Sequence, residues 1–119
     1  MNKIHDAVAD LHRLPGVKGA AVLTTDGMVA AQSFDKTLNS EVVVGLTSYL
    51  MMTTKRTLAE GGLGACSQFV LHATNGKAVF LTLEDSYLVV LFDQFADVSQ
   101  ASKEVQETAL RIRRASRLG

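Results

Sequence analysis

No run in this chain approaches the length of a membrane-spanning helix. The N-terminus, MNKIHDAVADLHRL, lacks the apolar block of a secretory signal. The single cysteine, Cys66, cannot form an internal disulfide, which fits a reducing, cytoplasmic compartment. Neither sign of charge is in excess: 12 Lys and Arg offset 12 Asp and Glu. No global field therefore draws in nucleic acid or an anionic membrane. Linkers, internal repeats and low-complexity tracts are missing too. What remains is an ordinary globular composition, 47% apolar and 20% charged, over 119 residues. That length supports one domain, 1–119, with one core.

The usual chemical signatures are also lacking. There is no G-x-x-x-x-G-K-[ST] phosphate cradle. Gly61-Gly62-Leu63-Gly64 has no lysine and no helix after it, so it reads as a helix-ending turn. His5 and His12 sit two turns apart on one helix, too far to share an ion, and His72 reads as a strand-edge residue. Cys66 has no base near it in sequence and is expected to be a small buried strand residue. Asp6 with Asp10, and Glu84 with Asp85, are explained by helix solubility and turn geometry. No catalytic, cofactor-binding or metal-ligating residue is expected. Arg111, Arg113, Arg114 and Arg117 crowd one helix end, where cations suit the dipole. The alternative is a basic patch for an acidic partner, but without interleaved aromatics nucleic-acid binding is disfavoured.

The chain does carry clear periodicities. Asn2 can cap a short helix whose apolar face is Ile4, Ala7, Val8, Leu11 and Leu14, ended by Pro15-Gly16. Val17 to Thr25 and Met28 to Phe34 read as strands joined at Asp26-Gly27, a two-residue type I′ hairpin signal. Their small residues, Gly19, Ala20, Ala21, Ala30 and Ala31, invite close packing of helices. After a long helix come strands at Ala65 to Ala73, Lys77 to Glu84 and Ser86 to Phe92. The last of these is apolar on both faces and reads as central; the one at Ala65 mixes polar residues and reads as a half-wet edge. Asp97 or Ser99 caps a closing helix with a buried stripe of Val98, Ala101, Val105, Ala109 and Ile112. Lys103, Glu107 and Arg111 lie four apart on its outer side and can pair.

The expected fold is of the α/β class, α+β type, in the order α-β-β-α-β-β-β-α. A five-stranded antiparallel sheet lies between one long helix on one face and two helices on the other.

The long helix, Leu38 to Glu60, organises the rest. Asn39 or Ser40 caps it, and Gly45 in its middle suggests a close backbone contact. At 100° per residue, Leu38, Val42, Leu46, Tyr49 and Leu50, with Val43 and Met52 at the margins, form a broad apolar arc that weakens at Arg56 and Glu60. A thinner stripe opposes it: Val44, Thr47, Met51, Thr54 and Leu58. Glu41, Ser48 and Lys55 mark a wet edge between them. So small a domain cannot bury both faces. The expectation is that the broad arc covers the sheet and the thin stripe meets a second molecule. On that reading Met51→Asp breaks a dimer or a complex.

The segment LPGVKGAAVLTTDGMVAAQ, Leu14 to Gln32, resembles the opening of the roadblock family, the dynein light chains of that type and their bacterial relatives. Gly16, Val17, Gly19, Ala20, Asp26 and Gly27 stand at the matching places, and the order and size of all later elements match. The style is that of the bacterial single-domain, MglB-like branch. The resemblance implies a homodimer formed through the long helix and the strand at Ala65, with a sheet continuous across two chains. It also implies a platform of paired helices that receives a small Ras-like GTPase, without a donated catalytic arginine. Interface residues at the seam or the platform are then expected among Val44, Thr47, Ser48, Met51, Thr54, Lys55, Leu58, Ser67 and Phe69. The leading expectation is a non-enzymatic regulator or scaffold of such a GTPase. A structural adaptor or light chain with no effect on nucleotide turnover is the alternative. A small-molecule sensor ranks last, because the small strand residues favour tight packing over a cavity.

Overall fold

A computed structural model describes the backbone of residues 2–118 and the side chains of residues 2–116. The elements follow in the order α1 (Lys3–His12), β1 (Val17–Thr24), β2 (Val29–Phe34), α2 (Ser40–Glu60), β3 (Gln68–Ala73), β4 (Gly76–Thr82), β5 (Ser86–Asp93) and α3 (Val98–Leu118). Every strand pairing is antiparallel, and the sheet order is β2-β1-β5-β4-β3. The doubly apolar strand is central and the half-wet strand is an edge, as their side chains require.

Alternation along the strands builds two cores. Ala20, Val22, Val79, Leu81, Leu88, Val90 and Phe92 face α1 and α3, where they meet Ala7, Val8, Leu11, Val105, Ala109 and Ile112. Ala21, Phe80, Tyr87 and Val89 face α2 and enclose Met51. Each fully buried Val, Leu or Phe contributes about 1.5–3 kcal/mol relative to exposure. The small residues of β1 and β2 let α1 close in, since Ala20 and Ala31 share a cluster with Ala7, Val8 and Leu11. Gly19 serves a different neighbour: a Cβ there would lie 2.2 Å from Cδ1 of Phe34.

Gly76 meets backbone instead: a Cβ would come 2.7 Å from the backbone oxygen of Phe92 on the neighbouring strand. Backbone cannot rotate away as a side chain can. Gly76→Ala is expected to lower stability by about 1–3 kcal/mol, read as a drop in the urea midpoint at unchanged slope.

The helix ends follow their capping residues. The Asn2 carboxamide oxygen accepts from the N–H of Ile4 and His5, Asn39 accepts from Val42, and Asp97 accepts from Ser99 and Gln100. At the end of α2 the Leu63 N–H bonds Leu58 O at 2.8 Å and the Gly62 N–H bonds Ala59 O at 3.2 Å, with Gly62 at φ +75°. That is a Schellman motif, and it needs glycine where φ is positive.

Several local expectations are corrected. The first hairpin turns through three residues: Gly27 bonds back to Thr24 O and Thr24 bonds Met28 O, while only Gly27 has positive φ. A type I turn closed by a left-handed glycine avoids positive φ at Asp26, which a type I′ turn would demand. Gly45 has nothing within 4 Å of a would-be Cβ, so no close contact within the chain explains it. Arg111 does not pair along its own helix with Glu107; it reaches Asp10 of α1 at 3.1 Å, which ties the two helices together. Arg113 approaches Glu84 at 3.9 Å, and the side chain of Arg117 lies outside the described residues.

Candidate functional site: the outer face of the long helix

The structure reverses the expected orientation of α2. Thr47 and Met51, from the thin stripe, are buried at 3% and 1% exposure. Val44, Thr54 and Leu58 of the same stripe are half-buried. The broad arc points outward, with Val42, Leu46, Tyr49 and Met52 between 52% and 67% exposed. Val43 and Leu50 sit at its margin, half-buried.

Two physical reasons account for the reversal. The thin stripe runs uncharged from Val44 to Leu58 and can lie on the sheet throughout, whereas the broad arc runs into Arg56 and Glu60. The sheet beneath is also shallow, with Gly19, Ala21 and Ala78 on that side, and a slender stripe with one long flexible Met fills it. The full-length run of the thin stripe was the signal in the sequence that decides the orientation.

The remaining expected interface residues divide. Lys55 and Ser67 are exposed. Ser48 is half-buried beneath the first hairpin, where a Cβ on Gly27 would sit 2.9 Å from its Oγ; that oxygen is enclosed with no partner among the described residues. Phe69 is half-buried and stacks on Phe80 of the adjacent strand, ring centroids 4.5 Å apart. Phe69 of β3 and Leu50 of α2 both pack against the Met51 cluster. On the same face β3 exposes Leu71 at 43%, while Val70 alternates to the face of α1 and α3; Leu63, just past the helix, is 75% exposed.

The outer arc of α2 is thus an exposed apolar face, and on the same side of the sheet β3 is a free edge that adds Leu71. An exposed face of this kind marks an interaction site more often than chance surface. What it offers a second molecule is apolar contact.

Elsewhere, His12 and Asp26 have structural partners. His12 bridges Oγ of Ser33 and Oδ1 of Asp35, both at 2.6 Å, and so fastens α1 to β2 and the loop after it. Asp26 accepts the Thr24 hydroxyl at 2.6 Å, and this bond holds its carboxyl below the usual aspartate range. Cys66 is buried, as its strand-like position suggested, although it lies just before β3. Among the described residues no group of three or more His, Cys, Asp or Glu could hold a metal ion. No described helix is long and apolar enough to cross a membrane.

Comparison with known proteins agrees with this geometry. The Roadblock/LC7 domain model matches residues 3–92. Two proteins of Methanocaldococcus jannaschii, uncharacterized proteins MJ0310 and MJ1340, are each 30% identical over 90 residues, 76% of this chain and 79% of theirs. Among solved structures, Myxococcus xanthus MglB superposes with a TM-score of 0.91 at 11% identity, covering 100% of this chain and 98% of that one. The gliding protein MglB of Thermus thermophilus gives 0.85 at 14% identity, covering 98% and 90%. A Roadblock/LC7 domain from Streptomyces avermitilis gives 0.79 at 21% identity, covering 92% and 93%. At these identities the structural likenesses speak for the fold.

Proposed function

This chain belongs to the Roadblock/LC7 family, and from that premise we propose that it is a non-enzymatic homodimer that binds a small Ras-like GTPase and modulates its nucleotide cycle. One observation carries the reading. The helix α2 has already met its own sheet through Thr47 and Met51, yet it keeps Val42, Leu46, Tyr49 and Met52 in water. Leaving four large apolar side chains exposed along one helix is costly unless a second surface covers them.

Two copies related by a two-fold axis satisfy this need, because the same arc then covers itself. Gly45 supports the arrangement: nothing in the chain lies within 4 Å of it, and a glycine on an exposed helix flank lets another backbone approach. The open edge of β3 can pair with its copy in the same assembly, satisfying main-chain groups that a lone chain leaves to water. The paired α2 helices then present a wide platform, whose rim carries Lys55 and Ser67, to the GTPase.

The test is a timed assay of GTP hydrolysis and of nucleotide exchange, using the small Ras-like GTPases of the source organism. The expected result is a change in one rate of about tenfold or more at saturating protein, corresponding to about 1.4 kcal/mol of barrier. Binding with both rates unchanged would replace the regulator by an adaptor, and absence of binding would end the reading.

A further inference from the structure

The opposite side of the sheet holds a second surface, formed where α1 and α3 meet as antiparallel helices. At one end a groove of about 480 Å³ opens between the Pro15-Gly16 turn, the loop after β5 and the first turns of α3. Its floor is apolar, made by Leu14, Pro15, Ala96 and Ala101. Three carboxylates, Asp93, Asp97 and Glu104, line it, and no lysine or arginine does. At its lip stands Phe95, 87% exposed, while the other four phenylalanines are buried or half-buried.

Local structure explains part of this set. Oδ1 of Asp93 accepts the Phe95 N–H and Oδ1 of Asp97 caps α3. Each aspartate thereby commits one oxygen and keeps its charge and its other oxygen. Glu104 makes no hydrogen bond or ion pair with a described residue. One cation stands at its wall: Nζ of Lys77 donates to the carbonyl of Ala96 at 2.8 Å. Turn geometry accounts for none of the exposure of Phe95. A metal ion does not fit, because no three of these groups converge on one point. Phosphate is excluded by the sign of the charge.

We propose that this groove docks a basic segment of a partner protein, in which an apolar side chain enters against Leu14, Ala101 and Phe95 while adjacent Lys or Arg residues pair with Asp93, Asp97 and Glu104. The occupant follows from charge complementarity around an apolar floor with an aromatic anchor, the arrangement from which interface hot spots are made. Seven of the ten lining residues fall between Asp93 and Glu104, beyond the 3–92 stretch that the family model covers. Most of its lining therefore comes from the closing segment, and Leu14, Pro15 and Gly16 complete it from the first turn. It lies on the face of the sheet away from α2, so one dimer could hold a GTPase on one side and a second partner on the other. The inference stands whether or not a GTPase binds.

The test uses the full chain, labelled with ¹⁵N, and three synthetic peptides: one alternating Arg and Leu, one with Leu replaced by Gly, and one with Arg replaced by Glu. Only the Arg-Leu peptide is expected to bind saturably, with amide shifts concentrated at Leu14, Gly16 and 93–104 and none along α2. Raising the salt from about 0.05 to 0.5 M weakens it, since the pairs are exposed and screened. Phe95→Ala removes no core contact and is expected to weaken binding about tenfold or more. The double variant Asp97→Asn with Glu104→Gln keeps the α3 cap and removes two charges, with a similar loss. Equal binding of the Arg-Gly peptide, undiminished binding by the Phe95→Ala protein, or shifts centred elsewhere would each overturn the proposal. Full displacement of the Arg-Leu peptide by an equal concentration of spermidine would overturn it too, by showing a site for any cation.

Discussion

Leu46→Asp is expected to yield a folded monomer that no longer binds a GTPase. Leu46 is 57% exposed on the outer arc of α2, so the substitution empties no core. Within the single chain it costs only helix propensity, about 0.5 kcal/mol. In the proposed dimer the same carboxylate is desolvated without a partner, at about 2–4 kcal/mol for each copy. Two-fold symmetry places two such charges in one seam, so association weakens by a factor on the order of 10³ or more. Light scattering should fall to the 12.8 kDa of one chain. Far-ultraviolet circular dichroism should remain native at low concentration, and pull-down of the GTPase should be lost.

Met51→Asp should behave in the opposite manner, though it lies only five positions along the same helix. Met51 is 1% exposed and enclosed by Ala21, Phe80, Tyr87 and Val89. Removing its packing costs about 2–5 kcal/mol. A carboxyl group left there without a hydrogen-bond partner adds about 1–3 kcal/mol more. A domain of this size holds only about 5–15 kcal/mol in all. The expected result is a protein largely unfolded at 37 °C, with the cooperative urea transition shifted by several kcal/mol or lost. A Met51→Asp protein that stays folded and merely dissociates would restore the orientation first expected from the periodicity of the helix.

The comparison of these two residues shows where the sequence was legible. Alternation in Ser86–Asp93 made its strand central, because a strand apolar on both faces has nowhere else to go. The polar residues of the strand ending at Ala73 made it an edge, and the caps at Asn2, Asn39 and Asp97 stood where their side chains can accept backbone N–H groups. The two stripes on α2 were visible as well. Which stripe turned inward was not, because hydrophobic width alone does not decide it. The decision came from length and fit: a stripe free of charge from Val44 to Leu58, lying over a sheet face built of Gly19, Ala21 and Ala78. The groove under Phe95 had no signature in the chain at all. Its residues come from the first turn and the last loop, 77 or more positions apart between Gly16 and Asp93, and only the antiparallel packing of α1 on α3 brings them together.

The account turns on the outer arc of α2 being covered by a second copy in solution. Sedimentation equilibrium of the unaltered protein between about 1 and 100 µM tests it most directly, because mass action reveals any reversible association. The mass predicted is twice that of one 12.8 kDa chain over the upper part of that range. A single-chain mass at every concentration would contradict it.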